Sequence, residues 1–374
     1  MTAQRAATKG NGPEKTPRKG PKATDEPLPP TVSRLGAVAA AVLLAAFAAA
    51  GCSGQDEPAE PVLTGLEAKV MQLKAMVARS PHAITPHTPE LRAYRRHYGL
   101  DFPQARYDFE AMAINSHTIA VQRFEPPEPK ATILIAHGYL DHGGLWRHAI
   151  RDFLASAYAV VVFDFPGHGL STGKPAAIDD FATYLKIVTK VDARARASMP
   201  QPVHLVGHSM GGGIVTEHIL RNGLEAPRRA ALIAPNIRSN HWLLSRMGNA
   251  LAGPFLATAP RMNRDVSHDE AFLAFRADRD PLQADRTPLD WFDELVAWEQ
   301  RMQTLPPRPA DVRIIQGRDD QITDWGYNVA FLRRKIPGVD VVMIEGGKHQ
   351  LINEKPSLRE QTFQRLREHL AAPD

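Results

Sequence analysis

The chain has 374 residues, of which 43% are hydrophobic, and a net charge of +4 at pH 7. Residues 1–52 contain seven basic and three acidic residues, which gives them a net charge of +4. This equals the net charge of the whole chain, so the rest of the chain is neutral. The length and apolar content suit one globular enzyme domain. A neutral body has no basic field for nucleic acid, which excludes nucleic-acid binding.

The first 52 residues have the composition of a leader segment. Residues 1–34 are rich in Pro, Gly, Lys and Thr, and we expect a disordered basic extension there. Residues 35–52 are an uncharged, Ala-rich run that ends in Ala49-Ala50-Gly51-Cys52. That ending resembles a bacterial lipoprotein cleavage site, in which the cysteine becomes the lipidated N-terminus. A normal short signal would begin at Val32, so we expect translation to start there.

Cys52 is the only cysteine, so an intramolecular disulfide is impossible and lipidation is the better explanation for this residue. A plain transmembrane anchor is the alternative for residues 35–52, although a run of this length and weak hydrophobicity is marginal for spanning a bilayer. The sequence therefore predicts a membrane-anchored lipoprotein of the bacterial cell envelope, or alternatively a single-span protein of the inner membrane. In both cases we expect contact with a membrane surface.

Residues 53–84 are predicted to form a tether and a short helix. The beginning of this segment is small, acidic and Pro-containing, which suits a flexible connection to a membrane. Four apolar residues then recur on one face of the helix: Leu66, Val70, Leu73 and Val77. This face either packs on the following domain or lies on a membrane surface.

The main domain, residues 85–374, has the pattern of an α/β fold. Apolar runs separated by polar loops predict the buried strands of a mostly parallel sheet, with helices between them. The predicted strands comprise residues 131–136, 160–164, 202–206, 229–234, 311–317 and 339–345.

A long insertion separates the strands near residues 230 and 312. It is far longer than a crossover needs, and such insertions are usually functional, so we assign about 237–308 to a helical cap. Its apolar stretch 242–256 either accepts an acyl chain or packs on the core. Four large residues at helical spacing are predicted to pack in the core: Trp291, Phe292, Leu295 and Trp298.

The run Gly207-His208-Ser209-Met210-Gly211 matches the pattern G-x-S-x-G directly after a predicted strand. This pattern places a serine on a sharp strand-to-helix turn, with its hydroxyl at the top of a sheet. Side chains at Gly207 or Gly211 would collide with the neighbouring strand and helix. Five residues alone are a weak signal, but they predict an acid and then a histidine after later strands.

Both partners occur in the predicted order. Three carboxylates in the loop after the strand 311–317 could serve as the acid: Asp319, Asp320 and Asp324. His349 lies in the loop after the last predicted strand, so all candidates follow the carboxyl ends of strands, where sites of open α/β sheets assemble. Ser209 would attack an acyl carbon, His349 would carry its proton, and a buried acid would orient the imidazole.

An oxyanion hole needs backbone N–H groups that point at the developing negative oxygen. The residue after the nucleophile, Met210, would supply one. The loop that follows the strand 131–136 would supply the other, from Tyr139.

The chain resembles the monoacylglycerol lipase and lysophospholipase branch of the α/β-hydrolases, over roughly residues 105–370. The motifs that carry the resemblance, in the family's order, are His137-Gly138-Tyr139-Leu140-Asp141-His142, Asp164-Phe165-Pro166-Gly167-His168-Gly169-Leu170-Ser171, Gly207-His208-Ser209-Met210-Gly211-Gly212, Gly317-Arg318-Asp319-Asp320 and Glu345-Gly346-Gly347-Lys348-His349. Arg264-Asp265 and Asp280-Pro281-Leu282 are similar to segments of the family's cap.

The resemblance implies the α/β-hydrolase fold and a serine carboxylester hydrolase that cleaves a lysophospholipid or a monoacylglycerol. It selects Asp320 as the acid. It implies contact with the substrate by four residues: His137, Asp141, His142 and His208. No cofactor or metal is expected, and the sequence makes no prediction of the oligomeric state.

Two positions depart from the family. Asp141 stands where relatives have Glu, and Leu145-Trp146 stands where they have Arg-Tyr. Because that Arg shapes the polar end of the site in relatives, the head group of the substrate stays open. A catalytically silent lipid-binding or scaffolding lipoprotein with the same fold is the alternative function, although the intact Ser, Asp and His argue against it.

Overall fold

The computed structural model describes residues 65–253, 255–262 and 264–371. The segments predicted as extension, signal or anchor, and most of the tether lie outside the described residues, as does the predicted lipidation site Cys52.

An eight-stranded sheet forms the centre of the domain, in the order β1-β2-β4-β3-β5-β6-β9-β10. Its strands are β1 (Arg106–Ile114), β2 (His117–Glu125), β3 (Ala131–Ala136), β4 (Tyr158–Phe163), β5 (Val203–His208), β6 (Ala230–Ile233), β9 (Val312–Gly317) and β10 (Asp340–Ile344). β2 pairs antiparallel with β1 and β4, and the other neighbours are parallel. The predicted mostly parallel sheet is therefore confirmed.

Ten α-helices belong to the described part of the chain. They are α1 (Gly65–Arg79), α2 (Pro89–Tyr98), α3 (Arg147–Ala155), α4 (Phe181–Ser198), α5 (Met210–Asn222), α6 (Trp242–Ala252), α7 (Glu270–Asp278), α8 (Leu289–Thr304), α9 (Trp325–Lys335) and α10 (Pro356–Leu370). None of the helices within the described ranges is both long enough and apolar enough to cross a membrane.

Two hydrophobic cores lie on opposite faces of the sheet, because successive side chains of a strand point to opposite sides. Ile133 and Ile135 of β3 join the core formed with α1, α2, α3 and α10. Leu134 and Ala136 join the core formed with α4, α5, α8 and α9. β3, β4, β5 and β6 are buried along their whole length, which explains their continuous apolar runs.

The segment between β6 and β9 contains α6, a two-stranded ribbon, α7 and α8. The ribbon pairs β7 (Thr258–Pro260) with β8 (Arg286–Pro288). Trp291, Leu295 and Trp298 of α8 are buried, as predicted for core packing. In α6, Trp242 is buried in the core, whereas most other large apolar side chains of the helix are exposed and do not pack on it.

The apolar face of α1 packs on the domain, which decides between the two interpretations of this helix. Val70, Leu73 and Val77 are fully buried and share a core with the sheet, whereas Leu66 is 39% exposed. The helix that precedes the predicted domain boundary is thus an integral part of the fold.

Leu73→Ala is expected to lower the free energy of unfolding by about 2–4 kcal/mol, because it opens a cavity in the core. Leu66→Ala, on the same helix, is expected to change it by less than about 0.5 kcal/mol, as is usual at the surface. Urea denaturation of both variants measures the difference. Equal and small effects would show that α1 does not pack on the domain.

Candidate active site

Ser209 lies on a tight turn between β5 and α5, as the sequence predicts. Its backbone has φ 52° and ψ −119°, a conformation that non-glycine residues rarely adopt and that costs conformational free energy. A Cβ atom at Gly211 would lie 2.3 Å from the carbonyl oxygen of Ala136, and one at Gly207 would lie 2.7 Å from Cα of Gly212. Both glycines are therefore required by close backbone approach, not only by chain flexibility.

Ser209, His349 and Asp320 form a hydrogen-bonded chain across the carboxyl edge of the sheet. His349 Nε2 is 3.0 Å from Ser209 Oγ, and His349 Nδ1 is 2.9 Å from Asp320 Oδ2. A carboxylate can only accept, so Nδ1 carries a proton and the lone pair of Nε2 faces the serine hydroxyl. This arrangement can move a proton from Ser209 to His349.

The Asp320 carboxylate is buried and held by several donors. Its Oδ1 accepts from the N–H groups of Ile322 (2.7 Å) and Thr323 (3.2 Å), and its Oδ2 accepts from Gln316 Nε2 (3.1 Å). Burial alone would raise the pKa of Asp320, but the neighbouring His349 and these hydrogen bonds outweigh it and hold the pKa well below its usual range. The carboxylate therefore stays ionised at neutral pH.

The other two candidate acids do not approach His349. Asp319 is exposed. Asp324 is the N-cap of α9, where its Oδ1 accepts a hydrogen bond from the N–H of Tyr327 at 3.1 Å. The choice of Asp320 among the three carboxylates agrees with the contacts.

The loop after β3 passes directly against the nucleophile. A Cβ atom at Gly138 would lie 3.1 Å from Ser209 Cβ. Tyr139, the next residue, therefore lies close to the nucleophile. Within the described residues, the N–H of Tyr139 has no hydrogen-bond partner, and the N–H of Met210 belongs to the first turn of α5, where intrahelical partners are lacking. Both donors are thus free to receive an oxyanion.

The Tyr139 side chain is held from two sides. Its hydroxyl donates to the carbonyl of Ala176 at 2.8 Å, and its ring stacks on Trp291 with centroids 3.6 Å apart. The helical spacing predicts only that Trp291 packs in the core. It does not predict that Trp291 stacks on the loop after β3 that carries Tyr139, here called the oxyanion loop. A helical apolar pattern shows that a residue is buried, but not which loop it covers.

The predicted substrate contacts of His137 and His142 need correction. His137 donates from Nδ1 to the carbonyl of Gly138 (2.7 Å) and accepts at Nε2 from the N–H of Phe165 (2.8 Å). Burial lowers the pKa of His137 to about 3, so it stays neutral. His142 is likewise engaged at both ring nitrogens, by the N–H of Gly144 and by Asp280. Neither imidazole has a nitrogen left for a substrate, and both hold the loop.

Asp141 is buried next to residues that adjoin the triad in sequence, and the buried His208 is one of them. Gln350 Nε2 donates to Asp141 Oδ2 at 3.0 Å, and His208 Nδ1 is 3.5 Å from the same oxygen. His208 Nε2 donates to the carbonyl of His349 at 3.1 Å. Gln350 and His208, the two residues that lie beside Asp141 Oδ2, are adjacent in sequence to His349 and Ser209. The other oxygen, Oδ1, is buried and has no hydrogen-bond partner among the residues described, and contact of Asp141 or His208 with a substrate stays a prediction.

Asp164 also supports the oxyanion loop, a role that sequence reasoning missed. Its carboxylate accepts from the N–H groups of Gly143 (2.7 Å) and Leu170 (2.8 Å). Ser171 donates to the Asp164 carbonyl at 2.6 Å, in keeping with its expected structural role. The run from Asp164 to Ser171 is one of the motifs that resemble the family, but its contact with the loop after β3 depends on the tertiary fold.

A model of the serine aminopeptidase S33 family matches residues 127–356. Phospholipase YtpA of Bacillus subtilis (strain 168) is 26% identical over 256 residues, which is 64% of this chain and 94% of that protein. Monoglyceride lipase of Homo sapiens is 26% identical over 252 residues, 64% of this chain and 81% of that protein.

Two solved structures are similar in fold. A soluble variant of monoglyceride lipase from Saccharomyces cerevisiae, in complex with a substrate analog, has a TM-score of 0.59 at 17% identity and covers 71% of this chain and 94% of its own. The monoacylglycerol lipase of Paleococcus ferrophilus has a TM-score of 0.57 at 20% identity and covers 67% of this chain and 98% of its own. These likenesses confirm the α/β-hydrolase fold.

Asp320→Asn is expected to slow the labelling of Ser209 by a fluorophosphonate by about three orders of magnitude, because an amide N–H at this position favours the wrong imidazole tautomer. Asp319→Asn and Asp324→Asn are the matched controls and should label within a few-fold of the wild-type rate. Labelling is followed by intact-protein mass spectrometry. A control variant as slow as Asp320→Asn would reassign the acid.

Proposed function

The chain belongs to the serine aminopeptidase S33 family of α/β-hydrolases, and from this we propose that it is a serine carboxylester hydrolase acting on single-chain lipid esters, a lysophospholipid or a monoacylglycerol. The observation that carries the proposal is the hydrogen-bonded chain from Ser209 through His349 to Asp320, beside two free N–H groups. The phospholipase and monoglyceride lipases among the relatives support a lipid ester as the substrate.

The proposed mechanism has two half-reactions. Ser209 Oγ attacks the acyl carbon while its proton passes to His349 Nε2, and the N–H groups of Tyr139 and Met210 stabilise the oxyanion. The intermediate collapses when the C–O bond to the alcohol breaks and His349 returns the proton to the leaving oxygen. Water then attacks the acyl-enzyme in the same way and releases the carboxylic acid. The ionised Asp320 stabilises the imidazolium in both steps.

The cap offers an apolar surface that suits an acyl chain or a lipid surface. Leu243, Met247 and Leu251 of α6 are 68%, 56% and 70% exposed, and Phe255 beyond the helix is 85% exposed. The three helical residues recur at intervals of four and lie on one face. Contiguous exposed apolar patches on soluble domains commonly mark interaction sites.

A cationic side chain of the cap lies near Asp141, although the residues at the family's Arg-Tyr positions are apolar. Leu145 and Trp146 are buried and offer no cation. Arg276 of α7 donates from Nη2 to the Leu140 carbonyl at 3.3 Å. Burial by itself would raise the pKa of Asp141, but His208, the charge of Arg276 and the hydrogen bond from Gln350 together hold that pKa below its usual range. A guanidinium donates hydrogen bonds to a phosphate and to a glycerol hydroxyl alike. Arg276 therefore does not decide between a lysophospholipid and a monoacylglycerol as the substrate.

We further propose that the protein works at a membrane of the bacterial cell envelope, attached through lipidated Cys52, with a single-span anchor as the alternative. This part of the proposal depends on the sequence around Cys52. It agrees with the exposed apolar face of α6, because an anchored enzyme meets its lipid at a surface.

Ser209→Ala is expected to abolish both fluorophosphonate labelling and hydrolysis of p-nitrophenyl esters, since no other group can form the acyl-enzyme. A panel of lysophosphatidylcholine, monoacylglycerol and water-soluble esters, assayed with the wild-type protein, identifies the preferred head group. Absence of labelling in the folded wild-type protein would favour the catalytically silent lipid-binding alternative. Unchanged turnover in Ser209→Ala would show that another residue is the nucleophile.

Leu251→Glu is expected to slow hydrolysis of a lysophospholipid presented in vesicles by about tenfold, because a buried charge is unfavourable at an apolar surface. The loss should be much smaller for a water-soluble p-nitrophenyl ester assayed with the same preparation. Equal losses on both substrates would mean that the exposed face of α6 has no role in binding lipid surfaces.

A further inference from the structure

The helix pair α1–α2 lies ahead of the residues that match the family, which begin at 127. It is nevertheless built into the domain, since Leu91, Tyr94 and Tyr98 of α2 are buried in the same core as β3. Tyr98 is the last residue of α2, and its ring packs edge-on against His142, with centroids 5.0 Å apart. The helix pair therefore reaches the loop that carries Tyr139.

A buried carboxylate joins this helix pair to the cap and to the oxyanion loop. Asp280, which follows α7, accepts from the Tyr98 hydroxyl at 2.6 Å and from His142 Nε2 at 3.0 Å. Gln283 Nε2 donates to it at 3.0 Å, and the N–H of Leu282 at 3.1 Å. Burial by itself would raise the pKa of Asp280, but the interactions with His142 and the other donors lower it to about 2. The carboxylate is thus ionised and fully engaged.

The protonation states of Tyr98 and His142, the two main partners of Asp280, follow from their contacts. Burial, together with the charge of Asp280, raises the pKa of Tyr98 well above its usual value, so the hydroxyl remains a donor. The effect of burial on His142 is outweighed by Asp280, which raises the pKa of the imidazole. The Gly144 N–H nevertheless donates to Nδ1 at 3.1 Å and needs a lone pair there, so we assign the neutral form with its proton on Nε2.

His142 in turn fixes the path of the loop. Its Nδ1 holds the N–H of Gly144, and the preceding N–H, of Gly143, donates to Asp164 at 2.7 Å. The turn between these anchors and β3 contains Tyr139, whose N–H is the proposed oxyanion donor. An oxyanion donor is effective only when it is held in place before the reaction, so the supports of this loop influence the rate.

We propose that Tyr98 is a positioning residue for the ester hydrolysis proposed above, on which this inference rests. Its hydroxyl holds Asp280, Asp280 holds His142, and His142 holds the loop that presents the Tyr139 N–H to the oxyanion. Tyr98 thus supports the site from a helix pair that precedes the family-matched region.

Tyr98→Phe removes only the hydroxyl. We expect kcat for a short p-nitrophenyl ester to fall about tenfold while KM changes less than twofold, because a loosened oxyanion loop weakens stabilisation of the intermediate and not binding of the ester. The values are expressed per active site titrated to completion with a fluorophosphonate, so that unfolded protein does not contribute. Labelling of the wild-type protein tests the proposed function separately.

Tyr94→Phe is the matched control. Tyr94 is one turn earlier on α2 and equally buried, and its hydroxyl accepts a hydrogen bond from Gln122 Nε2 at 3.0 Å without contacting Asp280. Its kcat should stay within twofold of the wild-type value. Equal kcat values in Tyr98→Phe and Tyr94→Phe would overturn the proposal.

Asp280→Asn provides a second, independent test through a double-variant cycle. If Tyr98 acts through Asp280, the double variant Tyr98→Phe/Asp280→Asn loses no more kcat than Asp280→Asn alone. Multiplicative losses would show that Tyr98 influences the site by another route and would contradict the proposed relay.

Discussion

The hydrogen bond between His349 Nδ1 and the ionised Asp320 is the interaction on which the site depends. It decides the imidazole tautomer, and only that tautomer presents a lone pair to Ser209 Oγ. The bond requires a carboxylate that remains charged although it is buried. Gln316, Ile322 and Thr323 meet this requirement with donors drawn from β9 and the loop after it.

The remaining architecture brings the proposed oxyanion donors, the N–H groups of Tyr139 and Met210, to this chain of hydrogen bonds. Parallel strands end at one edge of the sheet, so the loops after β3, β5, β9 and β10 meet there. The loop after β3 needs support from several directions because the N–H of Tyr139 must stay free of internal partners. Asp164, Trp291 and Asp280 supply that support from the sheet and the cap, and Tyr98 extends it to the helix pair at the beginning of the domain.

The elements that are encoded locally could be predicted from the sequence, and those that depend on tertiary packing could not. Six of the eight strands of the main sheet and the serine turn follow from apolar runs and glycines, whereas β1 and β2 are not among the predicted strands. The order of Ser209, Asp320 and His349 follows from the motifs. The motif around His137 and His142 indicates an oxyanion loop, but it does not show that both ring nitrogens are engaged within the protein. The contact of Tyr98 with Asp280 joins residues 182 positions apart and has no local signal at all. The exposed face of α6 lies between these cases, since composition shows that it is apolar but not whether it is covered.

In the proposed mechanism, Ser209 forms a covalent acyl intermediate, and trapping this intermediate tests the mechanism. The wild-type protein is mixed with a p-nitrophenyl ester, quenched in acid during turnover, digested and analysed by mass spectrometry. We expect one acyl group on the peptide that contains Ser209. An acyl group on another residue would contradict an acyl-enzyme on Ser209. Turnover that leaves no trapped adduct, even when deacylation is slowed, would contradict it as well.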